Sequence, residues 1–414
     1  MTSRLWICLA LGAVAAHPAW GQWPQWGGPD RNFQAEPAPL AEEWPEGRPK
    51  EVWRRPLGEG TSSIAVVDGT LYTLYRQVEQ GLEAVVALDA ASGATIWEQS
   101  YPAPLWPQFQ AQPSRGPHTT PLVVGDRLYT VGVRGYLACW DRKSGERSWE
   151  KDLWKEYGAT PRVSGHSSSP LVYQDKLIVQ VGGKGSAVVA LDLKDGQQIW
   201  SSQDFTVSYA SPLLIQVDGQ DQVVLFLARQ AVGIDPADGR TLWQHPHKNV
   251  HGVNASTPLW APGNLLFLSS GYDGGSRVLR LKRDPQSGAT AVEELWVSRR
   301  IKIHHGNAVW LEGRIYASSG DLGPAFLVAV DPLTGKMALR QRGFTKSNFL
   351  VSGSTLIILD QDGELALARP QESRIQILQQ CQVLKTLSWT VPTLVGTRLY
   401  LRDRKEILAL ELGK

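Results

Sequence analysis

Histidine is scarce in this chain and unevenly placed. Seven of its eight histidines fall in four segments: YPAPLWPQFQAQPSRGPH (101–118), KDLWKEYGATPRVSGH (151–166), QHPHKNVHGVNAS (244–256) and VSRRIKIHHGN (297–307). His118, His166, His251, His304 and His305 each stand a few residues before an apolar run, and Arg115, Arg162, Lys248 and Lys302 accompany them. Asp152 and Glu156 are the acidic residues of those segments. Three chemistries are open to such a set. A basic cleft focuses potential on an anionic ligand, and Trp106, Phe109, Trp154 and Tyr157 could stack on sugar rings or a planar group. Two or three imidazoles could hold a metal, although ligands drawn from separate segments carry no spacing signal. Or the imidazoles and guanidiniums cap strand ends and satisfy loop carbonyls. No catalytic residue and no metal ligand is assigned from the pattern.

Whatever brings these segments together must be periodic, because the residues between them are. ALDAASGATIW (87–97), CWDRKSGERSW (139–149), ALDLKDGQQIW (190–200) and GIDPADGRTLW (233–243) share one spacing, Asp then Gly at +4 and Trp at +8. The sets are Asp89/Gly93/Trp97, Asp141/Gly145/Trp149, Asp192/Gly196/Trp200 and Asp235/Gly239/Trp243. Upstream of each Asp runs a small polar residue, an apolar strand, a Gly/Asp turn and a second strand. TTPLVVGDRLYTV (119–131) and SSPLVYQDKLIVQ (168–180) are the clearest of eight such segments. Each unit therefore reads as four short antiparallel strands. Asp bonds its own turn, Gly takes a positive φ, and Trp covers the apolar face toward the next unit. A sheet this small must stack on its neighbours, which is the signature of a propeller blade.

The count predicts an all-β, eight-bladed propeller of four-stranded antiparallel blades. The last unit ends after its third strand at EILALELGK (406–414), and KEVWRRPLG (50–58) supplies an orphan Trp53 before the first unit. That segment is expected to close the ring as the missing outer strand. The eight outer positions are then Trp53, Trp97, Trp149, Trp200, Trp243, Trp296, Leu339 and about Ile377. GGKGS (182–186) reads as a hairpin turn rather than a phosphate loop.

Residues 1–21 read as a signal peptide. Arg4 precedes the apolar run 5–16, and Ala19 and Gly21 flank a cleavage point before Gln22. Cys8 lies inside that run and not at its end, so a lipid anchor is not expected. Residues 22–49, rich in Pro and Trp, read as a docked strap, and 50–414 as the propeller. Cys139 and Cys381 are expected to be buried free thiols. A net charge of +2 gives no case for nucleic acid.

The ALDaaSGxxxW and PLVvgdrLYtv units resemble the pyrroloquinoline-quinone (PQQ) propeller repeat over nearly all of the mature chain. That repeat occurs in PQQ-dependent alcohol dehydrogenases and in non-catalytic, BamB-like outer-membrane assembly proteins. The dehydrogenase branch implies two adjacent cysteines and a calcium site of Glu, Asn and Asp, neither of which can be placed here. The expectation is a binding or assembly module without chemistry or cofactor of its own. It would be exported to the periplasm or beyond, be monomeric, have no transmembrane segment in the mature chain, and bind an envelope protein or an anionic glycan at a funnel mouth. The alternative is a PQQ- and calcium-dependent alcohol or sugar dehydrogenase using the same funnel.

Overall fold

The computed structural model describes residues 22–110, 112–160 and 162–414. The expected signal peptide lies outside the described residues. Eight antiparallel sheets, each with four blade strands, follow one another around a ring. Blade one holds Ala65–Val67, Thr70–Gln77, Leu82–Asp89 and Thr95–Pro102, and blades two to seven repeat the pattern. In blade eight, Lys50–Pro56 pairs antiparallel with Glu406–Glu411, with Trp53 opposite Ala409. The front of the propeller thus supplies the outer strand that the end lacks, and no blade is left with three strands.

The repeated Asp-Gly-Trp spacing is explained by contacts between blades. Asp89 Oδ1 accepts from the Ser92 N–H and hydroxyl at 2.7 and 2.6 Å, which holds the turn between the third and fourth strands. Gly93, Gly145, Gly196 and Gly239 all have φ near +70°. The glycines have a second duty that the sequence did not reveal. The tryptophan of one blade lies flat on the glycine of the next. A Cβ on Gly145 would stand 2.6 Å from the Trp97 ring, and one on Gly93 2.7 Å from the Trp53 ring. Trp97 Nε1 also donates to the Arg142 carbonyl of that turn at 3.0 Å. Trp243 differs. It donates to Gln222 Oε1 of its own blade at 2.8 Å, and Gln222 passes the link to Thr290 of blade five. The turn it would have met, at Gly288, has no indole against it.

Residues 22–41 cross the end of the ring where the inner strands finish. Trp23 exchanges backbone hydrogen bonds with Val66 of blade one, and the Pro24 carbonyl accepts from Val123 of blade two. Arg31 reaches the carbonyls of Pro170 and Pro212 in blades three and four. Trp26 Nε1 donates to Thr257 of blade five, and Gln34–Ala35 pairs parallel with the inner strand of blade seven. Leu40 then bridges Gly413 beside the closing strand. Both cysteines of the described residues are free. Cys139 is buried, but Cys381, on the outer strand of blade seven, is only half-buried. Among the described residues no helix is long and apolar enough to cross a membrane.

Candidate functional site

An antiparallel four-stranded blade sends two loops to the same face: the one entering its inner strand and the one between its second and third strands. The mouth therefore contains the four histidine-bearing segments and also the loops around Tyr272 and Asp321. Only the first kind carries the histidines.

That difference alters the electrostatics. Arg115 pairs with Glu59 at 3.0 Å, and Arg404 approaches the same carboxylate from blade eight. Lys302 pairs with Asp273 at 2.5 Å. Arg162 donates to the Val207 carbonyl and, at 3.4 Å, to that of Gly252, with its guanidinium 4.6 Å from the centre of the Tyr209 ring. Lys248 stands exposed. Burial also keeps most of the imidazoles neutral at pH 7. It lowers His118, His166 and His304 to about 4, with Lys346 adding to the effect at His304. His305 is pushed well down by burial, helped by His304 and Lys346. Arg115 and Lys302 are thus held in ion pairs and Arg162 against carbonyls, whereas Lys248, Arg299 and Arg300 stand exposed, and the buried histidines carry no charge at pH 7.

The five histidines form two groups. His118 Nδ1 lies 2.7 Å from the Thr61 hydroxyl, and His166 Nε2 lies 2.9 Å from the Ser168 carbonyl. Both fit the strand-capping alternative. His251, Tyr272, His304, His305 and Trp389 instead form a continuous arc, with successive ring centroids 4.9, 4.9, 5.1 and 4.5 Å apart. Tyr272 and Asp273 both have positive φ, 51° and 63°. Backbone strain of this kind persists only where surrounding contacts over-determine it. Here Asp321 Oδ2 accepts from the Tyr272 N–H at 2.7 Å, and the Tyr272 hydroxyl lies 2.8 Å from His304 Nε2. Trp106 stacks on Phe109 and meets Trp154 edge-on, so this aromatic loop packs on itself and does not offer a free stacking face. Among the described residues no three His, Cys, Asp or Glu side chains are grouped as metal ligands.

Apolar side chains also stand exposed at the mouth, beside Lys248, Arg299 and Arg300. Leu322 and Val250, 83% and 70% exposed, are the two most exposed large apolar side chains among the described residues. They come from different blades but are tied to one turn. The Val250 N–H donates to the Tyr272 carbonyl, and Asp321, beside Leu322, accepts from the Tyr272 N–H. No sequence window joins residues 250, 272 and 322, so only the ring geometry could reveal the patch.

The fold defines a closed eight-bladed propeller of the PQQ-like class. Residues 81–338 match the family described as outer membrane protein assembly factor BamB, and the chain belongs to that family. It is 21% identical over 338 residues to the BamB of Burkholderia pseudomallei, covering 78% of this chain and 77% of that protein. The BamB structure from Moraxella catarrhalis superposes with a TM-score of 0.59 at 16% identity, covering 88% of this chain and 100% of that one. Quinohemoprotein alcohol dehydrogenase from Comamonas testosteroni gives a TM-score of 0.67 at 14% identity, covering 95% and 81%. At such identities the structural likeness shows the fold alone.

The dehydrogenase likeness raises the question of PQQ and calcium. Calcium takes about six to eight oxygen ligands, carboxylates prominent among them. Asp321 at this face keeps one buried oxygen, Oδ1, without a partner, a single ligand where calcium needs several, and the other carboxylates named here are engaged elsewhere. Glu59 faces two guanidiniums and Asp273 faces Lys302. Asp403 accepts the N–H groups of Thr386, Lys405 and Glu406. The residues present do not fit that ion.

Proposed function

We propose that the protein is an exported, non-catalytic propeller that holds an envelope protein against its mouth. The relatives are named as outer membrane assembly factors, and the present reading carries that role to this chain. The observation that supports it is the pair Leu322 and Val250 on loops fixed to one strained turn. Exposed apolar groups on a rigid, half-polar surface are what a protein partner buries. A photo-reactive amino acid at position 322 or 250 tests this in the envelope. Both should give a discrete adduct with the same protein, while position 194, exposed on the opposite face, should give none. Adducts at 194 alone would overturn the assignment.

A further inference from the structure

A second concave feature lies at the other end of the ring, under the strap. A cavity of about 420 Å³ separates residues 25–33 from the inner strands of blades three to five. That volume falls within the range of small-molecule sites, roughly 300–1,000 Å³. By contrast, the space found beside His166 at the mouth is about 20 Å³. One wall under the strap is apolar, with Leu171, Leu213, Leu259 and Trp260; another is Arg31.

Arg31 is 3% exposed. Its Nε donates to the Pro212 carbonyl, and its Nη1 to the Pro170 carbonyl and Gln25 Oε1, each at 3.0 Å. Its Nη2 has no partner, and among the described residues no carboxylate pairs with it. A buried guanidinium with neutral acceptors alone and one nitrogen unsatisfied is costly unless an anion joins it. Burial accordingly lowers its pKa to about 9. The side chain is also held in place by a strained segment, with Arg31 and Phe33 at φ 55° and 60°. Of the two carboxylates at the cavity, Asp221 lies 3.2 Å from both the Tyr173 hydroxyl and the Gln216 amide, and Asp30 is exposed at the edge.

We propose that the cavity under the strap binds the carboxylate of an apolar chain, with Arg31 as its counter-charge. The guanidinium fork suits a carboxylate, and the leucines and Trp260 suit the chain attached to it. Such a group is carried by a free fatty acid or by the C-terminus of a hydrophobic peptide.

Titration calorimetry on the full chain distinguishes the sources and tests the proposal. The probes are decanoate, decanol, a leucine-ending pentapeptide with a free carboxylate, and its amide. Decanoate or the free-acid peptide should saturate one site per chain, and whichever binds more tightly identifies the source. Decanol and the amide should bind at least about tenfold more weakly, and Arg31→Gln should cost the acid a similar factor. Equal affinity for the acid and its neutral partner in both pairs, or no saturable binding by any probe, overturns the proposal. Should Arg31→Gln fail to fold, Trp260→Ala, at the partly exposed wall, replaces it. It should weaken the acid severalfold while leaving photo-crosslinking at position 322 intact, and unchanged acid affinity overturns the proposal.

Discussion

Arg31 and Arg402 are buried guanidiniums near opposite faces of the ring, and they are solvated differently. Arg402, near the mouth, donates to the carbonyls of Gly58, Gly60, Ser62 and Leu74 and to the Thr73 hydroxyl, with a further contact from Nε to its neighbour Asp403. Every one of its nitrogens has an acceptor. Arg31, under the strap, has one nitrogen without. Burial lowers both to about 9, so burial alone does not separate them. Satisfaction does. A guanidinium fully paired with carbonyls of the adjoining blade bolts blade eight to blade one. One left incomplete beside a cavity has capacity for a ligand. At the mouth, Arg115 and Lys302 are paired with Glu59 and Asp273.

The largest expected effect comes from breaking the complete set. Arg402→Met should destabilise by ~4 kcal/mol, because it leaves several carbonyls of blade one without donors at the ring closure. Chemical denaturation measures this, and a loss below ~1 kcal/mol would mean that Arg402 is not a bolt.

Second in size is a pH effect from a buried carboxyl. Glu83 accepts the Tyr101 hydroxyl at 3.0 Å and the Val133 N–H of the next blade at 3.2 Å. Burial raises its pKa to about 7, against the smaller lowering by Tyr101, Val133, Arg76 and Arg134. A raised folded-state pKa means that the native protein holds this proton more tightly than the unfolded chain. Its contribution is therefore complete below the ordinary carboxyl range and is lost as pH rises through 7, by ~3 kcal/mol in all. The buried histidines act on the other side. Their depressed values mean that stability falls as pH drops from 6.5 toward 4. The two windows overlap with opposite signs, so the melting temperature should rise from pH 4 toward 6.5, and Glu83→Gln, which removes the falling contribution between about pH 4.5 and 7, should make that rise steeper. An unchanged slope in that variant would contradict the assignment.

Third comes the contact between blades. Gly145→Ala meets both a positive φ and the Trp97 ring, for a cost of ~2–3 kcal/mol. Gly288→Ala meets only the φ, because its nearest neighbour is Arg283 Nη2 at 3.9 Å, and should cost ~1 kcal/mol. Equal losses in thermal denaturation would remove the indole from the explanation.

The ring was readable because it is periodic. Four copies of one spacing identify a blade, and the orphan Trp53 beside a final unit lacking a strand identifies the closure. The glycine–indole contact was not readable, because it joins residues of different units and the turn geometry alone already accounts for glycine. The mouth was half readable. The spacing located His304, His305 and Lys302, but the carboxylates that Arg115 and Lys302 pair with, Glu59 and Asp273, lie in loops that share no motif with them. Burial of the imidazoles, which removes their charge, is a property of three dimensions. Arg31 is not legible in the sequence, since one arginine in a Pro- and Trp-rich stretch has no pattern around it.

The smallest expected effect belongs to the paired cations, and it gives the most direct test of how the mouth works. The partner crosslinked at position 322 should be purified and its affinity measured for two variants. Val250→Asp with Leu322→Asp should abolish binding. Arg115→Gln with Arg162→Gln and Lys302→Gln should leave it within about twofold, since pairs at such a rim contribute little. Intact binding by the first variant, with loss in the second, would contradict the account and restore a cationic funnel.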